Sequence, residues 1–485
     1  MKGIGMKKAI AAILLLALLA GLTACGRRTE TGDLLSTNIA RVYMKDERSS
    51  CFVKDGERIE GEVRGKAYID IAADGNTALA WVDSIVYFVS EQGIDMLGSG
   101  IDAAEISFDG RIALFMLGDK LMRFSAESRA SFAIAEGVYD IVQTAISPNS
   151  ESIVFTAVFE GEGASMRSML FREGELTPVL TDGSDIVLAV SDDASTIYYF
   201  DSAEQALCVQ HNGEKTVIST ECGAASSYNF TRDLSEVAYF TEGRKTVVWR
   251  LSDGLTADLG TGFGYTLKTE VYSMSKLTLP TYINGTGSFL NGLWARRDRA
   301  DSGDYLFSIA YIDEKGEVDW IVLGADEGYK VSSDAKRVIW QEYDKIYMTD
   351  LSGKTTTLAG DAVSFTAEGD CKTVYYISLA GSLFEVKRAG EPKKLDTGVS
   401  RIEAMGGGCA YIKDRAEGET GSGTLCFAKD GKTQEIMGGA VRFEKRSGQL
   451  IVYTDPVISG EDVLYTVRFT VNGTDLELIA DGVEP

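Results

Sequence analysis

A chain of 485 residues with 45% hydrophobic, 25% charged and 9% aromatic residues has enough apolar mass for a large folded core, which excludes a disordered or collagenous chain. A single histidine removes the commonest general base and zinc ligand, and 52 glycines against 6 prolines mark a chain that turns on glycine. With 72 acidic residues against 48 basic ones, a formal charge of −24, the surface repels nucleic acid, so no nucleic-acid partner is expected.

The first element is an export signal. Lys2, Lys7 and Lys8 precede an apolar run from Ala9 to Ala20, too short for the roughly 20 residues of a transmembrane helix. Leu22-Thr23-Ala24-Cys25 follows and resembles the lipobox of bacterial lipoproteins. That resemblance implies that residues 1–24 are cleaved and that Cys25 is acylated. Each buried acyl methylene contributes about 0.8 kcal/mol to membrane anchorage. The expected location is the cell envelope: the outer face of the cytoplasmic membrane, or the outer membrane of a two-membrane host, to which Gly26 after Cys25 corresponds. Loss of the signal removes three lysines and no acid, leaving the mature chain more acidic still.

Residues 26–66 are expected to form a tether and early strands, and from residue 67 to 485 the chain repeats. Ile71-Ala-Ala-Asp74-Gly75, Ile106-Ser-Phe-Asp109-Gly110, Ile146-Ser-Pro-Asn149, Val190-Ser-Asp-Asp193 and Phe230-Thr-Arg-Asp233 each lead into a β-branched and aromatic strand. Their acids or amide are spaced by 35, 40, 44 and 40 residues, a period that suits one four-stranded sheet per unit. Within these units Asn212-Gly213, Asp253-Gly254, Gly353-Lys354-Thr355 and Asp430-Gly431 supply tight outer hairpins. No long helical periodicity follows residue 25, so the fold class is all-β.

The units resemble the WD-like repeats of TolB-type β-propellers, most closely at Ser107-Phe108-Asp109-Gly110 and Ser147-Pro148-Asn149. The resemblance implies a propeller of four-stranded blades, with one ring of about eight blades favoured. The alternative is two smaller rings meeting at 263–303, which interrupts the period and is expected as an irregular insertion.

Chemistry-bearing motifs fail one by one. No Gly-x-Ser-x-Gly string occurs, and His211 sits in a hairpin turn. The glycine that a phosphate loop needs five positions before Gly353 is Met348. Asp74-Gly75-Asn76-Thr77 resembles the Asp-box of sialidases, with its tryptophan displaced to Trp81. Cys51, Cys208, Cys222, Cys371, Cys409 and Cys426 form no CxxC pair, although Cys409 and Cys426 fall in consecutive strands. No catalytic residue, metal or cofactor is expected. What remains is binding through segments that break the period, 159–168 and 263–303. Trp294, Arg296, Arg297 and Arg299 concentrate charge and an aromatic there and are the candidate contact residues.

The expected function is a lipid-anchored binding or scaffold module for a protein or cell-envelope polymer. Two alternatives stand beside it. A glycan-active enzyme would show buried carboxylates of raised pKa in the channel, and a subunit of an envelope-assembly complex would show an exposed apolar patch on one face.

Overall fold

The acid of each repeat builds a turn. Asp109 Oδ1 accepts hydrogen bonds from Ser107 Oγ at 2.8 Å and Arg111 N at 3.1 Å, while Ser107 Oγ accepts from Ile112 N at 3.1 Å. The same pattern recurs around Asp193, with Ser191 Oγ at 2.7 Å and Ser195 N at 2.9 Å, and around Asp334, with Ser332 Oγ at 2.6 Å. A side chain that satisfies its own backbone two residues on closes the chain into a bend. These bonds hold the Asp193 carboxyl down at about 2.

The computed structural model describes residues 38–483, except 46, 161–164, 181–184, 224–227, 262, 266–280, 283–287, 300–304, 326–327, 419–420, 447–448, 460–461 and 471–474. Cys25, the signal and the start of the tether therefore lie outside the described residues. Among those described there is no helix.

The chain is an all-β propeller of four-stranded antiparallel blades. The expectation of about eight blades meets ten such meanders among the described residues, the first to tenth blades in chain order: 68–99, 104–136, 138–178, 186–219, 228–261, 263–325, 329–359, 362–396, 399–440 and 440–483. The last two are fused, because the strand Lys432–Arg446 pairs with Gly423–Lys429 in its first half and with Gln449–Ser459 in its second. Within 263–303, strands Phe263–Tyr265 and Gly292–Arg299 form the inner pair of the sixth blade, and Thr281–Tyr282 adds a parallel strand to the fifth.

Apolar residues lie between blades, one cluster per junction. Phe88 and Phe124 meet at 4.9 Å between the first and second blades, and Tyr198 and Phe230 at 5.0 Å between the fourth and fifth. Fully burying a side chain of this size contributes roughly 1.5–3 kcal/mol, so each junction is a small core of its own. The clusters follow chain order and then return. Strands Ala40–Met44 and Ser49–Lys54 pack against the tenth blade through Val42, Cys51 and Val53 and against the first through Ile39 and Phe52. Ala40–Met44 pairs with Glu477–Val483, with Met44 opposite Val483.

All six described cysteines are buried free thiols. Cys409 stands opposite Ala428 and Cys426 opposite Tyr411, two positions out of register with each other. Burial pushes the Cys51 thiol up to about 11 and Cys371 to about 12, which keeps both protonated at neutral pH.

Two glycines separate backbone strain from packing. Gly110 and Gly254 both adopt φ +69, but a Cβ on Gly110 runs into the Thr77 hydroxyl and the Asp74 carboxylate of the first blade, whereas one on Gly254 meets nothing within 4 Å. We expect Gly254→Ala to lose about 1 kcal/mol from strain alone. Gly110→Ala should lose at least about twice that in urea titrations, because the junction between the first two blades must open. Equal losses would mean that the turn does not dock on its neighbour.

Candidate binding surface

Antiparallel meanders give a propeller two chemically distinct faces. The turn face carries the bends between first and second strands, and backbone bonds run along it from blade to blade, as in Ala73 N to Phe108 O at 3.1 Å and Ser333 N to Gly369 O at 2.6 Å. Phe108 also packs beside the cluster between the fourth and fifth blades, with the Arg232 guanidinium 5.6 Å from its ring. The hairpin face carries the links between second and third strands and the starts of the inner strands. Its own bonds are Val138 N to Asp119 O at 2.8 Å, Ala362 N to Asp344 O at 2.8 Å and Val399 N to Gly381 O at 2.9 Å.

Exposed large apolar side chains divide sharply between these surfaces. Of fifteen among the described residues, Met96, Phe132, Leu176, Val217, Trp320, Leu323 and Leu478 lie on the fourth strands of their blades, and the other eight lie on the hairpin face. Those eight are Tyr68, Leu117, Tyr139, Tyr343, Val363, Leu379, Val457 and Ile458; the turn face has none among the described residues. Scattered apolar exposure is ordinary, but concentration on one face is the mark of an interaction surface.

Tyr343, Val363 and Leu379 lie on segments of this face that hydrogen bonds tie together. Gln341 Nε2 donates to Tyr343 O at 2.7 Å and to Ala362 O at 3.2 Å, and Leu379 N donates to Asp361 O at 2.7 Å, so hydrogen bonds bind the three segments across the seventh and eighth blades. Tyr343 is 82% exposed and holds φ +52 in a two-residue hairpin, a position that favours glycine or asparagine. A bulky, exposed ring held in a left-handed turn is a costly placement, and such strained positions gather at sites of interaction.

The channel side holds buried acids. Asp70 and Glu105 occupy matching positions on the inner strands of the first two blades, 4% and 1% exposed. Thr144 Oγ1 donates to Glu105, while Asp70 accepts no hydrogen bond among the described residues and its Oδ1 is fully enclosed. Burial lifts Asp70 to about 7 and, with the neighbouring Asp70 charge adding to it, Glu105 to about 8.

The residues singled out in sequence separate in space. Trp294 is 2% exposed, packs against Phe289 at 5.9 Å and donates its Nε1–H to Phe289 O at 3.0 Å. Arg296 lies over the half-exposed Trp320 at 4.4 Å. Arg297 and Arg299 stand opposite Phe307 and Tyr305 in strand register, and their side chains lie outside the described residues. His211 shares hydrogen bonds with Thr196 and Asn212 in its hairpin. Asp350 accepts from Ser352 N and Lys354 N, which makes Gly353-Lys354-Thr355 a bend. Asp201, Glu204 and Cys208 converge within 4.8 Å, and the Lys215 ammonium supplies their countercharge at 2.6 Å from Asp201 and 2.9 Å from Glu204. The residues that sequence reading missed are Tyr343, Val363 and Leu379. The available signal was a tyrosine at the first position of the Tyr343-Asp344 turn, where Asp55, Asp83, Asn212 and Asp430 stand in other hairpins.

No family model and no curated protein matches the chain. Among solved structures it is similar to TolB from Acinetobacter baumannii (12% identity, 52% of this chain and 61% of that one, TM-score 0.29). It is also similar to Porphyromonas gingivalis dipeptidyl peptidase 4 (12%, 79% and 66%, TM-score 0.37) and to the WD40 repeats of RRP9 (13%, 63% and 91%, TM-score 0.34). The match thus spans less than two thirds of the first two structures. The architecture rests on the chain's own sheets and clusters.

Proposed function

We propose that this propeller is a binding module of the bacterial cell envelope, anchored through acylated Cys25, that docks a protein partner on its hairpin face. Residues 26–66 then serve as tether and ring-closing strands, and 67–485 as the propeller. The observation that carries the reading is the concentration of exposed apolar side chains on that face, centred on Tyr343, Val363 and Leu379. An envelope polymer is less suited to it, because a polyhydroxylated chain gains little from a patch this apolar, and a protein surface gains most. An assembly-complex subunit is the same reading carried to a permanent partner.

The test is co-purification of the full-length protein from its native membranes. Wild type should bring a stoichiometric neighbour, and Tyr343→Gly should lose it while keeping or raising stability by up to about 1 kcal/mol, since glycine accepts the left-handed turn. Mass spectrometry of the mature N-terminus reads the acylation of Cys25. Retention of the neighbour by Tyr343→Gly combined with Leu379→Ser would remove the hairpin face from the interaction.

The glycan-active alternative finds its buried carboxylates in Asp70 and Glu105, yet neither exposes enough surface to meet a sugar ring.

A further inference from the structure

Between the second and third blades a groove of about 1060 Å³ opens on the turn face, away from the apolar hairpin face. Its walls combine Arg123 with the rings of Phe132 and Phe171, which stand 6.2 Å apart. Arg123 is half-buried, with its guanidinium 5.4 Å from the Phe132 ring, and among the described residues it makes no ion pair and no hydrogen bond. Its neighbours in the groove are engaged: Arg172 donates to Asp193 O at 2.6 Å, and Arg111 lies 3.6 Å from Asp109. The Asp109 carboxylate lies against Arg111 and reaches Arg123 only as a charge beyond ion-pair distance, so the donors of this half-buried guanidinium are left for a ligand. An arriving carboxylate would offset the desolvation of that charge.

We infer that this groove is a second binding site, for an acidic peptide segment whose carboxylate pairs with Arg123 and whose apolar side chain lies between Phe132 and Phe171. Two features favour a peptide over an acidic polysaccharide. Glu127, Glu151 and Glu173 also line the groove, and a polymer with a carboxylate on every ring would be repelled by them, whereas a peptide offers N–H donors between its acids. Phe132 and Ala133 belong to an outermost strand, Ala130–Glu136, whose outer edge is unpaired among the described residues and can pair with an extended backbone.

Fluorescence anisotropy with a fluorescein-labelled octapeptide of Ser and Gly carrying one Glu and one Phe two residues apart tests the site on the full-length protein. Wild type should bind it, Arg123→Ala should bind about tenfold or more weakly, and Arg123→Lys should fall between, because the fork geometry is lost while the charge stays. Tyr343→Gly should bind the peptide as wild type does, which separates this site from the hairpin face. Urea midpoints of the variants identify any loss caused by unfolding, and Phe171→Ser, which keeps Arg123 intact, gives a second reading of the same groove. The inference is overturned if the peptide does not bind at millimolar concentration, if folded Arg123→Ala binds it equally, or if a hexuronic-acid oligosaccharide binds more tightly.

Discussion

Gln449→Leu is expected to remove about 2–4 kcal/mol of stability, several times the cost of an ordinary polar substitution at the surface. Gln449 is fully buried at the start of a tenth-blade strand, and its amide joins the two ends of the chain. Its Oε1 accepts from Gly56 N at 2.9 Å, while its Nε2 donates to Asn38 O at 2.9 Å and to Val53 O at 3.2 Å, across separations of 393 to 411 residues. Leucine fills the volume and satisfies none of the three groups, so the cost is that of orphaned backbone polar atoms at the closure of the circuit. Urea denaturation measures it, with Gln434→Leu on the exposed outer part of the ninth blade as a control expected within about 0.5 kcal/mol of wild type. A Gln449 variant as stable as that control would show that the N-terminal strands do not latch the propeller.

The second large effect is a loss of stability with rising pH. Asp70 and Glu105 titrate near 7 and 8 when folded, because burial penalises their charged forms, and near the ordinary carboxylate range when unfolded. A carboxyl whose folded pKa is raised holds its proton more tightly in the native state. Its contribution is therefore complete below about pH 4 and is withdrawn as pH climbs through 7 to 8. Between pH 5.5 and 8.5 the expected loss is on the order of 4 kcal/mol. The turn acids act elsewhere: Asp193, held at about 2 by its backbone and hydroxyl donors, gives stability that disappears only below about pH 4. Thermal melts of Asp70→Asn/Glu105→Gln should be nearly flat from pH 5.5 to 8.5 and should exceed wild type at the upper end. A double variant that keeps the wild-type slope would assign the dependence to other groups.

What the sequence disclosed was what local chemistry decides. An aspartate two residues ahead of the N–H it accepts makes a bend wherever it stands, and Asn212-Gly213 and Asp430-Gly431 hold the left-handed conformations their identities favour. The blades were legible for the same reason. The boundary between the last two was not, because Lys432–Arg446 runs through both without a break that composition could mark. The sixth blade was hidden by distance: Phe263–Tyr265 and Gly292–Arg299 lie side by side although 26 residues separate them, and long-range pairing leaves no local pattern. Trp294 misled because three arginines follow it closely. Strand alternation takes no account of neighbouring charge, and it places Trp294 against Phe289 in the core. Asp70 and Glu105 were each a lone acid among apolar residues just ahead of a turn, a signal present in Tyr68-Ile69-Asp70-Ile71 and Ala104-Glu105-Ile106.

The hairpin face can be addressed directly by placing a photo-crosslinking amino acid at Tyr343 in one version of the protein and at Ser252, on the turn face, in another, and irradiating cells that carry each. A discrete crosslinked species is expected from position 343 and none from position 252. Crosslinks from 252 alone, or none from 343, would contradict a docking role for the hairpin face.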